Sequence, residues 1–372
     1  MLRLPCNYGV SSITKVKNGW HCLAGRKREG IISKHLVHRS LASSSLPIVD
    51  DIKTSHVHLN ETVPSPVTYV HSSLSEGLIS YPRGWAWQQS YLSQRLAALR
   101  NQPQNDSNHY VEDHDDDEQH PNHDRLLLFQ HEPVYTLGRG ADESHITFLQ
   151  NDDERRHLLS RKVRGPGTAR LTFDERASRM INQESNFKSR MTTIVDQMAD
   201  AACPVLAPDG TPVFRVERGG EVTCHLPGQL VVYPLVNLRQ SPFQQDLHWY
   251  LRMVEQVIIE TLKVYDIEGT RDEEHTGVWV GEGKIAAVGV SSSRWITTHG
   301  FAINISPDLS LFDNSLIIPC GIEGRAVTSI ERVLKDRSVS NKIPSLQQVA
   351  TDTVKSFETI FGVHTKSGSV LN

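Results

Sequence analysis

The chain has 372 residues, 38% hydrophobic and 22% charged, with a formal net charge of −4. That is enough apolar material for a sizeable core. The charge balance excludes a global basic field of the nucleic-acid-binding kind, and no run approaches the roughly 18 apolar residues of a membrane span.

Five cysteines, Cys6, Cys22, Cys203, Cys224 and Cys320, are odd in number and widely spaced. The spacing excludes a disulfide framework and a CxxC zinc site, and it points to a reduced compartment. Residues 1–48 carry lysines and arginines from Arg3 to Arg39 against one acid, Glu29, with frequent serines and no apolar signal core. This is the composition of an organellar transit peptide, or of a disordered basic tail. Residues 49–66 read as a linker of serine, proline and no periodicity.

A folded domain is expected over 67–365. Trp87, Tyr91, Leu92, Leu96 and Leu99 recur at helical spacing and predict an amphipathic helix. The acidic stretch 101–124 holds His114, His120 and His123; its low complexity marks a solvated loop rather than a metal site. Leu126 to Gln130 predict a buried strand. Residues 141–205 are charged and poorly patterned, with a weak helix near Met191 to Ala201. They read as a surface insertion lacking apolar residues for a core of its own.

Further strands are predicted at Val213–Glu217, Leu230–Leu235, Val278–Val280, Ile285–Val290 and Phe301–Ile305. Leu247, Tyr250, Leu251, Val254, Ile258 and Leu262 share one helix face, with Gly269 as the stop signal. A last helix spans Leu346 to Phe361. Helices and strands do not alternate strictly, so an α/β (α+β) domain with a mixed sheet is expected rather than a doubly wound fold.

Four glycine-bearing clusters carry the chemistry. RGGEVTCHLPGQLVVYPL (218–235) frees main-chain N–H groups through Gly219 and Gly220; on its own a plain turn explains it as well. GVWVGEGKIAAVGV (277–290) sets Lys284 between a turn and an apolar strand, where most lysines point into water. HGFAINI (299–305) opens an alternating strand. IIPCGIEGRAVTSI (317–330) holds Cys320 between proline and glycine, the place of an inert buried thiol or of a nucleophile. Neither GxGxxG nor GKS/GKT occurs.

Together with HEPVYTLGR (131–139), and in this order, these motifs resemble the lipoyl(octanoyl) transferases. The resemblance covers roughly residues 67–365, apart from the insertion. It implies a biotin/lipoate protein ligase-like fold and a catalytic pair, Cys320 and Lys284. It implies transfer of an octanoyl group from octanoyl-acyl carrier protein to a lysine of apo lipoyl domains, those of 2-oxoacid dehydrogenases and the glycine cleavage H protein. No ATP, metal, nucleic acid or membrane span is expected, and the compartment implied is the mitochondrial matrix, with the plastid second.

Substrate contacts are implied at Arg218, Gly219, Gly220, Glu221, Val222, Thr223, Cys224 and His225. They are also implied at Ala287, Val288 and Gly289, and at Gly300, Phe301 and Ala302. His225 is either catalytic or a structural residue bonding its own loop. The family's T-Y-H-G-P-G-Q reads Thr223-Cys224-His225-Leu226-Pro227-Gly228-Gln229 here. If the replaced glycine took positive φ, Leu226 is strained, and it is expected to narrow the acyl pocket. An ATP-using lipoate or biotin ligase and a non-catalytic lipoyl-domain binder stand as the alternatives.

Overall fold

The computed structural model describes residues 67–101, 120, 122–149, 151–160, 169, 171, 187–200, 202–312, 316–317, 326–337 and 343–369. The transit-peptide and linker expectations (1–48, 49–66), His114 and Cys320 lie outside the described residues. All described residues belong to one compact unit, Thr62–Asn372.

In chain order the elements are β1 (Val67–Ser72), α1 (Tyr81–Asn101), β2 (Asp124–Phe129), β3 (Val134–Leu137), α2 (Asp153–Leu158), α3 (Phe187–Asp200) and β4 (Val205–Leu206). Then follow β5 (Pro212–Arg215), β6 (Val222–His225), β7 (Gln229–Leu235), α4 (Leu247–Lys263), β8 (Thr270–Arg271) and β9 (Val278–Val280). The chain continues with β10 (Gly283–Ser293), β11 (Ile296–Asn304), β12 (Ala326–Val327), α5 (Ile330–Asp336), α6 (Leu346–Phe361) and β13 (His364–Ser367).

Among the described residues the strands form two mixed sheets. The larger runs β13-β1-β2-β7-β11-β10-β9-β8, with β12 beside β10; the smaller runs β4-β5-β3-β6. Parallel pairs occur at β1–β13, β1–β2, β10–β12 and β3–β5. The mixed α/β architecture expected from the unordered alternation is thus present.

Alternation along each strand divides the core. On one face of the large sheet, Leu126, Leu128, Leu230, Val232, Phe301 and Ile303 pack against Val254, Ile258 and Leu262 of α4 and Val349, Phe357 and Phe361 of α6. Each such buried side chain contributes about 1.5–3 kcal/mol. On the other face, Leu127, Phe129, Val231, Tyr233 and Ala302 meet Trp85, Trp87 and Tyr91 of α1 and Met191 and Val195 of α3. A third cluster lies on the small sheet around Tyr135, Leu137, Val222, Cys224 and Leu226.

Two local expectations change. Helix α4, capped by the Asp246 carboxylate, ends at Lys263, and Asp266 takes the positive φ (55°). Gly269 is required for packing instead: a Cβ there would lie 2.9 Å from Leu262 Cδ1 and from Val278 Cγ1. The 141–205 segment is not merely superficial. Its Ile146, Leu149, Leu159 and Ala169 enter the third cluster, and Leu171, Met191 and Val195 enter the second. Its apolar residues are sparse because they complete cores built by other strands. Buried Arg215 fastens it, donating to the carbonyls of Gly138 (2.8 Å), Ala141 (3.1 Å) and Leu159 and to Glu143 (2.8 Å).

Candidate active site

Strands β10 and β11 make the floor of a pocket of about 230 Å³. Their register pairs Ala287 with Ala302 and Gly289 with Gly300. Four small residues therefore share one patch of sheet, and the surface between α1 and the small sheet stays open. Val288 and Phe301 also border the pocket, but their side chains pack in the opposite core. What they offer is main chain, so their expected substrate contact is not a side-chain one.

The same alternation would aim Lys284 away from this floor. A β-bulge between Lys284 and Ala286 prevents it. Ile285 and Ala286, consecutive residues, both enter the α4-facing core. The extra residue restores Lys284 to the phase of Ala287 and Gly289, and Lys284 lines the pocket. Its exposure is only 8%, and its Nζ lies 5.3 Å from the Trp279 ring centroid. Gly277, at φ +134°, makes room for it: a Cβ there would sit 2.5 Å from Lys284 Cε and 2.7 Å from the Ala286 carbonyl oxygen. The Gly277 N–H donates to the buried Glu255 carboxylate (2.9 Å), which also accepts from Arg252 (3.0 Å).

The facing wall comes from β6 and the loop before it. Thr223 and His225 line the pocket. Cys224, between them, points into the third cluster with Tyr135 and Leu137. Its thiol is pushed up by burial, with the Asp209 charge adding to the rise. The expected substrate contact at Cys224 is therefore not found: a strand residue cannot share a face with both its neighbours. Leu226 is also buried in that cluster, away from the pocket lining. It does not take positive φ; Gly228 does, at +88°, and a Cβ there would in addition meet the Ser306 carbonyl at 2.7 Å. Neither strain nor a narrowed pocket follows from leucine at 226.

Arg218, Gly220, Glu221 and Val222 line the pocket. Gly219 lies just outside the lining and donates its N–H to the Val290 carbonyl (2.9 Å), which ties the loop to the edge of β10. The Arg218 guanidinium reaches the Thr136 carbonyl (2.6 Å), the Thr136 hydroxyl and the Gly219 carbonyl (3.0 Å).

His225 borders the pocket, and its Nδ1 lies 3.3 Å from Gln229 Oε1. Gln229 in turn donates to Asn304 Oδ1 (2.8 Å), and Asn304 donates to the Thr328 carbonyl (2.9 Å). The histidine thus bonds its own loop and is linked through β11 to the segment following β12. Burial, then the neighbouring His131 and the Arg218 charge, holds its pKa well below 6.5, so the ring is neutral at neutral pH.

Sequence reasoning missed Tyr81, Tyr233, His299, Glu274, His275 and Thr276, which complete the lining. Tyr233 hides in an apolar strand and Tyr81 in the first turn of α1. His299 opens the HGFAINI motif and takes φ 59°; its Nε2 lies 3.8 Å from Glu217 and its ring centroid 5.8 Å from that of Tyr233. Burial lowers the His299 pKa, against the opposing pull of Glu217. Burial would raise Glu217, but the nearby His299 imidazole and the hydrogen bond from Trp85 Nε1 (3.1 Å) outweigh it and hold the carboxyl below its ordinary value. Among the described residues, no group of three His, Cys, Asp or Glu side chains is placed to hold a metal ion, and no helix is long and apolar enough to cross a membrane.

A small-residue floor, a buried lysine and a glycine-bearing loop on the facing wall make up the candidate site. Residues 195–358 match the family model of the lipoyl protein ligase A/B catalytic domain. An octanoyltransferase of Gloeobacter violaceus is 33% identical over 297 residues, covering 80% of this chain and 93% of its own. One from a Synechococcus species is 36% identical over 316 residues, covering 83% and 92%. A chloroplastic octanoyltransferase of Arabidopsis thaliana is 32% identical over 303 residues, covering 80% of each. Among solved structures, a lipoate-protein ligase A bound with ATP gives a TM-score of 0.44 at 11% identity over 82% of this chain and 89% of its own, a distant likeness only. The chain belongs to the octanoyltransferase family and is an acyltransferase.

Proposed function

We propose that this octanoyltransferase takes its acyl group from octanoyl-acyl carrier protein and delivers it to a lysine of apo lipoyl domains, including those of 2-oxoacid dehydrogenases and the glycine cleavage H protein. The group rests in between as a thioester on Cys320. The observation that carries this reading is the bulge that brings Lys284 to the end of a pocket floored by Ala287, Gly289, Gly300 and Ala302.

In sequence, Cys320 comes six residues before Ala326, and Ala326 and Val327 pair with Gly283 and Lys284.

A thiol of ordinary pKa about 8.5 is only a few per cent ionised at neutral pH, and a neighbouring ammonium raises that share. The Cys320 thiolate attacks the donor thioester, and the loop amide at Gly220 stabilises the oxyanion. Exchange of one thioester for another is nearly balanced, and amide formation runs downhill. The reaction so written needs neither nucleotide nor metal. The basic residues of 1–48 favour an organellar destination. The mitochondrial matrix and the plastid both fit, and the chloroplastic name of the Arabidopsis relative supports the plastid.

Intact-mass spectrometry after mixing the protein with octanoyl-acyl carrier protein tests the proposal. The expected result is one octanoyl adduct, absent in Cys320→Ala and discharged by an unmodified lipoyl domain. Transfer by Cys320→Ala at an unchanged rate refutes the thioester. In Lys284→Ala the alkylation profile of Cys320 moves to higher pH; an unmoved profile removes lysine as the activator.

A further inference from the structure

The proton balance of the proposed reaction leaves one proton without a place to go. In the first half, the Cys320 thiolate forms a new C–S bond and the donor C–S bond breaks. The departing donor thiolate takes a proton from the Lys284 ammonium, and Lys284 is left as a neutral amine. In the second half, the acceptor lysine arrives as an ammonium. Its nitrogen bonds the acyl carbon, the bond to Cys320 breaks, and Cys320 is again a thiolate. The acceptor nitrogen gives up two protons on the way to an amide. Lys284 recovers one. The other needs a base at the end of the pocket where Lys284 lies.

The turn before β9 carries such a base. Glu274, His275 and Thr276 line the pocket together with Lys284. His275 is two residues from Gly277, whose α-carbon abuts the Lys284 side chain, so the two backbones lie within about 7 Å of each other along the chain. The turn is built to hold its shape. Asp272 Oδ1 accepts the N–H groups of Glu274 and His275, at 2.9 Å each. Gly277 is pinned from below by Glu255 (2.9 Å), and Arg271 bonds the Arg252 carbonyl (3.0 Å) and Gln256. His275 is half-buried and Glu274 exposed, so both border the pocket and reach solvent.

We propose that His275 is a catalytic base of the second half-reaction. It accepts the acceptor nitrogen's remaining proton and passes it to solvent, while the Glu274 carboxylate gives the incoming ammonium its counter-charge. An imidazole suits this task because it exchanges protons readily near neutral pH. The charged groups around it are Asp272, Glu273 and Glu274 on its own turn, Glu255 beneath Gly277 with its partners Arg252 and Arg271, and Lys284 on β10. This role rests on the thioester reading of the proposed function.

The test measures the two halves separately in His275→Asn and His275→Gln. Acylation is followed by intact mass with octanoyl-acyl carrier protein. Transfer is followed from the pre-acylated enzyme to an unmodified lipoyl domain, between pH 6.5 and 9.5. The expected result is acylation within two-fold of wild type, and transfer at least about ten-fold slower at pH 7, the low side of general-base effects. The gap closes towards pH 9.5, where hydroxide and the free amine replace the base. Transfer unchanged at pH 7, transfer slowed equally at every pH, or acylation slowed in parallel overturns the role of His275 alone. Failure of the wild-type protein to form the octanoyl adduct at all refutes the thioester reading, and the role of His275 with it.

Discussion

Gly277 and Gly281 flank one short strand, and both take positive φ, +134° and +55°. Their surroundings differ. At Gly281 an added Cβ meets nothing within 4 Å. Alanine there costs only the left-handed backbone, roughly 1–2 kcal/mol. At Gly277 the same methyl lands 2.5 Å from Lys284 Cε and 2.7 Å from the Ala286 carbonyl oxygen. The lysine chain can swing aside; the carbonyl belongs to the bulged strand and cannot. Backbone strain of about 1–3 kcal/mol and overpacking of about 1–3 kcal/mol add to roughly 2–6 kcal/mol. Against a typical stability of about 5–15 kcal/mol, the variant is still expected to fold in part. Its lysine, however, has left the pocket end. Urea unfolding of Gly277→Ala and Gly281→Ala, with octanoyl transfer measured per folded molecule, separates the two effects. Gly281→Ala keeps wild-type turnover. Gly277→Ala loses ten-fold or more beyond its loss of folded protein. Equal midpoints and equal turnover in the two variants refute the claim that Gly277 exists to seat Lys284.

Two further predictions follow from the wall opposite. Cys224→Ala costs about 1 kcal/mol, as a modest core truncation does, and keeps turnover within two-fold; a ten-fold drop contradicts its placement in the third cluster. His131 is held down to about 4 from 6.5, first by burial, with the Ile79 carbonyl pulling the other way. A lowered histidine binds its proton less readily folded than unfolded, so the contribution is complete above pH 6.5 and is lost as pH falls towards 4. The loss is about 2 kcal/mol by pH 5 and about 3 kcal/mol in all. Unfolding free energies of wild type and His131→Gln at pH 7.5 and 5 check it. The variant's acid slope is shallower by that amount, and an unchanged slope contradicts a neutral buried His131.

Much of the scaffold was legible because local rules are strong where patterning is regular. The helix faces of Tyr250, Val254 and Ile258 and of Val349 and Phe357 were predicted and are buried as predicted. Buried β2, β7 and β11 follow their apolar runs, and β10 is buried over its first four residues. The insertion resisted reading because its isolated Ile146, Leu149 and Met191 complete cores supplied by distant strands. Of the candidate contacts, those on β6 were named as a continuous stretch, whereas only Thr223 and His225 of its alternating pairs face the pocket without also facing the third cluster. Cys224 and Leu226 drew attention as departures from a pattern, yet both are packing residues.

The amino-acid order alone therefore indicated the longer helices, the central strands of the large sheet, the mixed α/β class and the family motifs, since periodicity and glycine placement are properties of neighbouring residues. It named Lys284 but not its direction. That was decided by a single extra residue in the ladder at Ile285, which reverses the phase of a strand whose side chains otherwise alternate. The flat floor likewise exists only in the pairing of Ala287 with Ala302 and Gly289 with Gly300. His275 joins Lys284 at the pocket because β9 folds back along β10 through the Gly281-Glu282 turn.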